Sequence, residues 1–139
     1  DKAEAPCKWE EKKIPVMGIT GTGGAGKSSL IDELLLRFHR HYKDSKIALI
    51  SVDPTKKKTQ GALLGDRIRL GSASFDNFFI RSLATRDSNT ELSPQIKNVV
   101  SFLKSQDFDL IIVETSGIGQ ASDEITSVAD KCIYVMTPE

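Results

Sequence analysis

Apolar residues along the chain fall into short unbroken runs, separated by longer stretches that carry a helical stripe. Four runs predict strands, at residues 14–19, 46–51, 110–114 and 132–136. The last three are apolar on consecutive rather than alternate positions, the pattern of strands covered on both faces. Residues 27–42 carry Leu30, Ile31, Leu34, Leu35, Phe38 and Tyr42 on one helical face. Residues 94–105 carry Ile96, Val99, Val100 and Leu103 at i, i+3, i+4, i+7, with Ser93 placed to cap that helix and Pro94 to open it. A shorter helix is predicted over 122–129. Strands alternating with helices predict an α/β fold: a mostly parallel sheet, helices on both faces and right-handed crossovers. Residues 54–89 mix Gly, Lys, Arg, Ser and aromatic pairs and read as irregular with short helices. Phe78 and Phe79, like Trp9, read as packing into a core or against a neighbouring domain.

The 139 residues suffice for one domain and are too few for two. Residues 1–13 alternate acidic and basic without an apolar core, so they read as a linker or arm and not as a signal peptide. The domain then occupies 14–139. A start without Met leads us to expect a piece of something longer. Nineteen Lys+Arg balance nineteen Asp+Glu. That balance gives no long-range attraction to nucleic acid or an anionic membrane, and no apolar run approaches the roughly 18 residues of a membrane span. Neither nucleic acid nor membrane is therefore expected as a partner. Of the two cysteines, Cys132 sits in an apolar run and reads as a buried free thiol. Neither has the paired spacing of a zinc site, and a reducing, cytoplasmic compartment fits best.

One segment carries specific chemistry. Residues 21–28, Gly-Thr-Gly-Gly-Ala-Gly-Lys-Ser, match G-x-x-x-x-G-K-[ST] in full, between an apolar run and an amphipathic helix. Such a loop wraps a polyphosphate with backbone N–H groups, and glycine permits both the close approach and the unusual dihedrals. Gly23, Gly24, Ala25 and Gly26 supply the cradle. Lys27 reaches the β- and γ-phosphates, the Ser28 hydroxyl serves Mg²⁺, and Ser29 can bond the α-phosphate. Some dimeric P-loop ATPases carry a second lysine near the loop's start, where this chain has Thr22.

Mg²⁺ takes hard oxygen ligands and keeps several waters, and three acids are placed to serve it. Asp53 follows a predicted strand at its carboxyl end, where α/β sheets bind ligands, although Asp53-Pro54 also reads as a simple turn start. Glu114 ends the most hydrophobic run, in the place of a Walker B acid; the alternative is a solvated strand end. Residues 114–117, E-x-x-G, resemble the D-x-x-G of nucleotide switches, in which the glycine, here Gly117, offers its N–H to the γ-phosphate. In a helical segment Asp66 and Arg69 would share a face, one toward metal-bound water and the other toward phosphate; the residues alone leave that open. Lys56, Lys57 and Lys58 read as a solvated loop or a mobile switch.

With these residues in hand, the chain resembles the G-protein chaperones of adenosylcobalamin-dependent acyl-CoA mutases, the MeaB- and ArgK-type family. The strings GITGTGGAGKSSL, SVDPT, GALLGDRIRL and ETSGIGQ carry the likeness over residues 14–139. GTGGAGKSSL with GALLGDRIRL is especially similar to the G domains fused into isobutyryl-CoA mutases. The resemblance implies a P-loop GTPase of the SIMIBI class in the bacterial cytoplasm. It would bind GTP or GDP with Mg²⁺ and use slow hydrolysis to gate cofactor loading and protection of a mutase. That mutase partner would be fused or separate, with adenosylcobalamin only there, and a homodimer stays open. It also implies an acidic shell of Asp53, Asp66 and Glu114, with Thr115 beside it and Ser28 at the metal, and a phosphate or switch contact at Arg69. The family's guanine-reading N-K-x-D does not occur, since neither Asn77 nor Asn98 is followed by the required Lys and Asp. A C-terminally truncated G domain is therefore expected.

Two other functions fit a P-loop. A small-molecule kinase would need an arginine-rich lid, for which Arg81 and Arg86 are the available residues. A non-hydrolysing, nucleotide-dependent interaction module would keep the loop without the chemistry.

Overall fold

The computed structural model of the chain describes residues 10–22, 24–53, 76–84, 92–115 and 125–138. Strands β1 (Val16–Gly21), β2 (Ile47–Asp53), β3 (Phe78–Ala84), β4 (Leu110–Thr115) and β5 (Lys131–Val135) form one sheet in the order β3-β2-β4-β1-β5. Every neighbouring pair is parallel. Helices α1 (Lys27–His41) and α2 (Leu92–Lys104) join them, and residues 125–128 make a short helical turn before β5.

Strand alternation sorts the core into two layers. Val16, Ala48, Ile50, Val52, Ile111 and Val113 meet Ile96, Val100 and Leu103 of α2, and Ile125 of the short turn, on one face. Ile19, Ile47, Leu49 and Ile112 meet Ile31 and Leu35 of α1 on the other. The expected α/β architecture, with helices on both faces, is the one seen. Each fully buried Val, Ile or Leu among them contributes about 1.5–3 kcal/mol by leaving water. The inner strands β4 and β2 are covered on both faces, which is why their sequences read as unbroken apolar runs.

Three details differ from the sequence reading. β3 lies within the stretch expected to be irregular. Its Phe79 and Leu83 pack on the α2 face, and its Phe78 and Ile80 on the α1 face, so the two aromatics serve opposite layers. α2 begins at Leu92, which puts Ser93 and Pro94 inside the first turn instead of at the cap. The first four helical N–H groups have no intrahelical acceptor, so a proline there loses nothing. The helix expected over 122–129 is described only at residues 125–128. Cys132 is a free thiol but exposed, because β5 pairs on one side only, with β1.

The last residues of the predicted arm are tied to α2. The Lys12 N–H donates to the Lys104 carbonyl at 2.9 Å, Ser101 Oγ donates to Glu11 at 2.6 Å, and Lys12 pairs with Asp107. Among the described residues, no helix is long and apolar enough to cross a membrane.

Candidate functional site

The carboxyl ends of β1 and β4 lie side by side, and the glycine-rich loop leaves β1 there. The ladder between the two strands runs from Val16–Ile111 to Ile19–Glu114, so Glu114 stands beside the root of the loop. Ser51 of β2 is opposite Glu114 on its other side and donates a hydrogen bond from Oγ to Glu114 Oε2 at 3.1 Å.

The loop closes by a turn in which the Ala25 N–H reaches the Thr22 carbonyl at 3.2 Å. Gly24 (φ 76°) and Gly26 (φ 95°) take left-handed backbone that a side chain would strain, and a Cβ on either would meet nothing within 4 Å. Their glycines thus answer a need of backbone conformation, not of packing. Gly26 is the N-cap of α1 and makes no side-chain capping bond, and the first turn of α1 contains no acidic residue. The positive end of α1 is therefore left uncompensated by its own sequence, with its first N–H groups directed at the loop. Thr22 Oγ1 is buried with no hydrogen-bond partner among the described residues. These features together fit an anion seated in the loop.

Lys27 opens α1 and is buried, only 7% exposed. Its ammonium donates to two strand-end carbonyls, Gly21 O at 2.9 Å and Thr115 O at 2.7 Å. Burial holds its pKa below the usual lysine value, and the charge of Glu114 opposes that shift in part. Two of its three N–H donors thus serve the protein and one remains to be directed elsewhere.

Lys27, Glu114, Gly24, Ala25, Gly26, Ser28 and Ser29 are brought together at this end of the sheet, with both serines exposed. Asp53 is the last residue of β2, two positions beyond Ser51. Thr115 departs from the expected metal shell. It lies on the α2 side of β4, fully buried, and its Oγ1 donates to Thr20 Oγ1 at 3.0 Å. Only its main-chain carbonyl serves the site. Gly23, Asp66, Arg69 and Gly117 lie outside the described residues, as do Lys56, Lys57, Lys58 and Arg86. Arg81 stands in mid-β3 over the ring of Phe79, 5.2 Å from its centroid. That places it at the far edge of the sheet, on the face away from α1, so it is no lid over the loop. The sequence reading missed Ser51 and the Thr20–Thr115 contact, because both depend on which strands become neighbours.

Comparison with known proteins bears on the same region. A family model described as methylmalonyl Co-A mutase-associated GTPase MeaB matches residues 11–139. A fused isobutyryl-CoA mutase of Geobacillus kaustophilus (strain HTA426) is 61% identical over 129 residues, 93% of this chain and 12% of that protein. Its counterpart in Cupriavidus metallidurans is 54% identical over 127 residues, again 12% of the relative. A putative GTPase of Pyrococcus horikoshii is 44% identical over 124 residues, 38% of its length. The chain thus spans a small part of the curated relatives it matches. Among solved structures, signal recognition particle receptor FtsY from Elizabethkingia anophelis in complex with GDP superposes with a TM-score of 0.56 at 22% identity, over 84% of this chain and 35% of that one.

Proposed function

The chain belongs to the MeaB family of methylmalonyl-CoA mutase-associated GTPases, and from that membership we propose that it is the nucleotide-binding part of a GTP-hydrolysing chaperone for an adenosylcobalamin-dependent acyl-CoA mutase. Its fold is the α/β P-loop fold of the SIMIBI class. The likeness to fused isobutyryl-CoA mutases favours a parent in which G domain and mutase share one polypeptide.

The observation that carries this reading is the uncapped N-terminus of α1 with the buried ammonium of Lys27 beside it. Backbone N–H groups from Gly23 to Ser29 hold the phosphates. Lys27 gives up at least one of its carbonyl bonds to turn its ammonium to the β- and γ-phosphates, and neutralises charge that builds there during transfer. Ser28 and Glu114, with Asp53 and Asp66, would provide the oxygen atoms of a magnesium site, directly or through water. Magnesium bound there would supply charge neutralisation to the phosphate oxygens. Arg69 would serve as a phosphate or switch contact, and the Gly117 N–H would meet the γ-phosphate. Positioning and electrostatics supply the rate, so turnover without a partner is slow.

The test is calorimetric titration of the full-length gene product with GTP, GDP and ATP in magnesium, followed by phosphate release from γ-labelled GTP. Guanine-selective binding with label released to water is the expected result. Failure to bind any of the three nucleotides overturns the reading. Label appearing on a second small molecule replaces it with a kinase.

A further inference from the structure

The root of the loop is joined to β4 by two links on opposite faces of the sheet. On the α1 side, the Lys27 ammonium bridges Gly21 O of β1 and Thr115 O of β4. On the α2 side, one residue past the ladder pair Ile19–Glu114, Thr115 Oγ1 donates to Thr20 Oγ1 at 3.0 Å. Both threonines are buried, Thr115 at 0% and Thr20 at 6% exposure.

These links respond differently to a ligand. The ammonium has three donors and spends two on carbonyls. Engaging two phosphate groups requires it to release at least one carbonyl, which loosens the α1-side link. The hydroxyl bridge faces away from the loop and has no part in that exchange. Glu114 is bonded in sequence to Thr115, so whatever fixes Thr115 against β1 also fixes the carboxylate next to Lys27.

We propose that Thr20 and Thr115 are a positioning pair, whose hydroxyl bridge holds the ends of β1 and β4 together so that Glu114 keeps its place when Lys27 turns to phosphate. The pair touches neither nucleotide nor metal; it acts through Glu114. The inference rests on the phosphate-binding reading of the loop. It assigns to two buried threonines the coupling between phosphate binding and metal binding.

The experiment uses the full-length gene product and measures GDP affinity with and without magnesium, the ratio being the magnesium increment. Thr20→Val and Thr115→Val keep side-chain volume and remove the bridge; each is expected to shrink the increment by about tenfold, the lower end of what losing support for a metal ligand does. Thr20→Ser keeps a hydroxyl and restores the increment. Thermal unfolding separates positioning from mere structure: a small increment measured well below the unfolding midpoint of a variant is a loss of position and not of fold. The magnesium increment stays small in the double variant. An unchanged increment in Thr20→Val, or an increment that recovers in the double variant, overturns the proposal. Absence of GDP binding by the unaltered protein overturns the nucleotide reading and this inference with it; normal binding with an unchanged increment in Thr20→Val overturns this inference alone.

Discussion

Lys27 Nζ lies 2.7 Å from the carbonyl oxygen of Thr115, eighty-eight positions further along the chain. A second bond, to Gly21 O at 2.9 Å, ties the same ammonium to the strand from which the loop departs. The charge that is to meet phosphate is thus already desolvated and aimed by the backbone before any ligand arrives. Such preorganisation limits the reorganisation left for the binding step.

Replacing that side chain separates its two roles. In Lys27→Ala the charge-assisted contacts to phosphate disappear, and GTP affinity falls about 100-fold, the equivalent of one to two hydrogen bonds to a charged group. Turnover falls further, because charge developing in the transition state loses its partner. Calorimetry and single-turnover phosphate release check the two effects. Affinity and turnover equal to those of the unaltered protein would exclude the phosphate role of the loop.

Much of this site was legible in the sequence because loop and lysine are local. The glycines sit where left-handed backbone is needed, and Lys27 follows them directly. β1, β2, β4 and α1 were equally plain, since strands covered on both faces and a one-sided helix leave unambiguous patterns. β3 was not. Arg81 and Ser82 interrupt its apolar run, and the edge of the sheet tolerates them because β3 is paired by β2 alone. Cys132 misled for the same reason: its apolar neighbours suggested a core strand, but it lies in β5 at the other edge. Ser51–Glu114 and Thr20–Thr115 could not be read at all. They exist because β4 inserts between β1 and β2, a property of sheet order and not of any segment.

The Gly26 backbone yields a prediction about conformation rather than space. At φ 95° a Cβ meets nothing within 4 Å, yet an L side chain is strained there. Gly26→Ala should lower stability by about 1–2 kcal/mol from strain alone. It should also weaken nucleotide binding, because relief of the strain tilts the first N–H groups of α1 away from the loop. Denaturant midpoints with nucleotide titration measure both.

The lowered pKa of Lys27 gives a signed pH dependence. Burial favours the neutral amine, so between the folded value and the higher unfolded value the unfolded chain binds more protons. Stability from this group therefore rises with pH across that alkaline window, and below it the full penalty of the buried charge is present. A bound phosphate has the opposite effect: it favours the ammonium and raises the pKa. Nucleotide binding in the window must then take up a proton, and GDP affinity must fall as pH climbs through the free-state pKa. Calorimetry in two buffers of different ionisation heat counts the protons; no uptake anywhere up to about pH 10, near the ordinary lysine value, would contradict the assignment.

Core packing beneath the loop provides the last prediction. Leu35 lies on α1 two turns past Lys27 and is wholly buried with Ile31 against Ile19, Leu49 and Ile112. This contact holds α1 on the sheet and so sets where its N-terminus points. Leu35→Ala leaves a cavity there and should lower stability by about 2–5 kcal/mol. Val100→Ala, on the other face with α2, should also destabilise but without moving α1. The two variants are then distinguished by ligand rather than by stability. Saturating GDP at 100 times its Kd adds about 2.7 kcal/mol to any variant that binds as before. Val100→Ala should gain that full increment in unfolding free energy at the same GDP concentration. Leu35→Ala should gain less, because its α1 no longer presents the loop in binding geometry. Equal gains in both would show that the seat of α1 does not control the phosphate site.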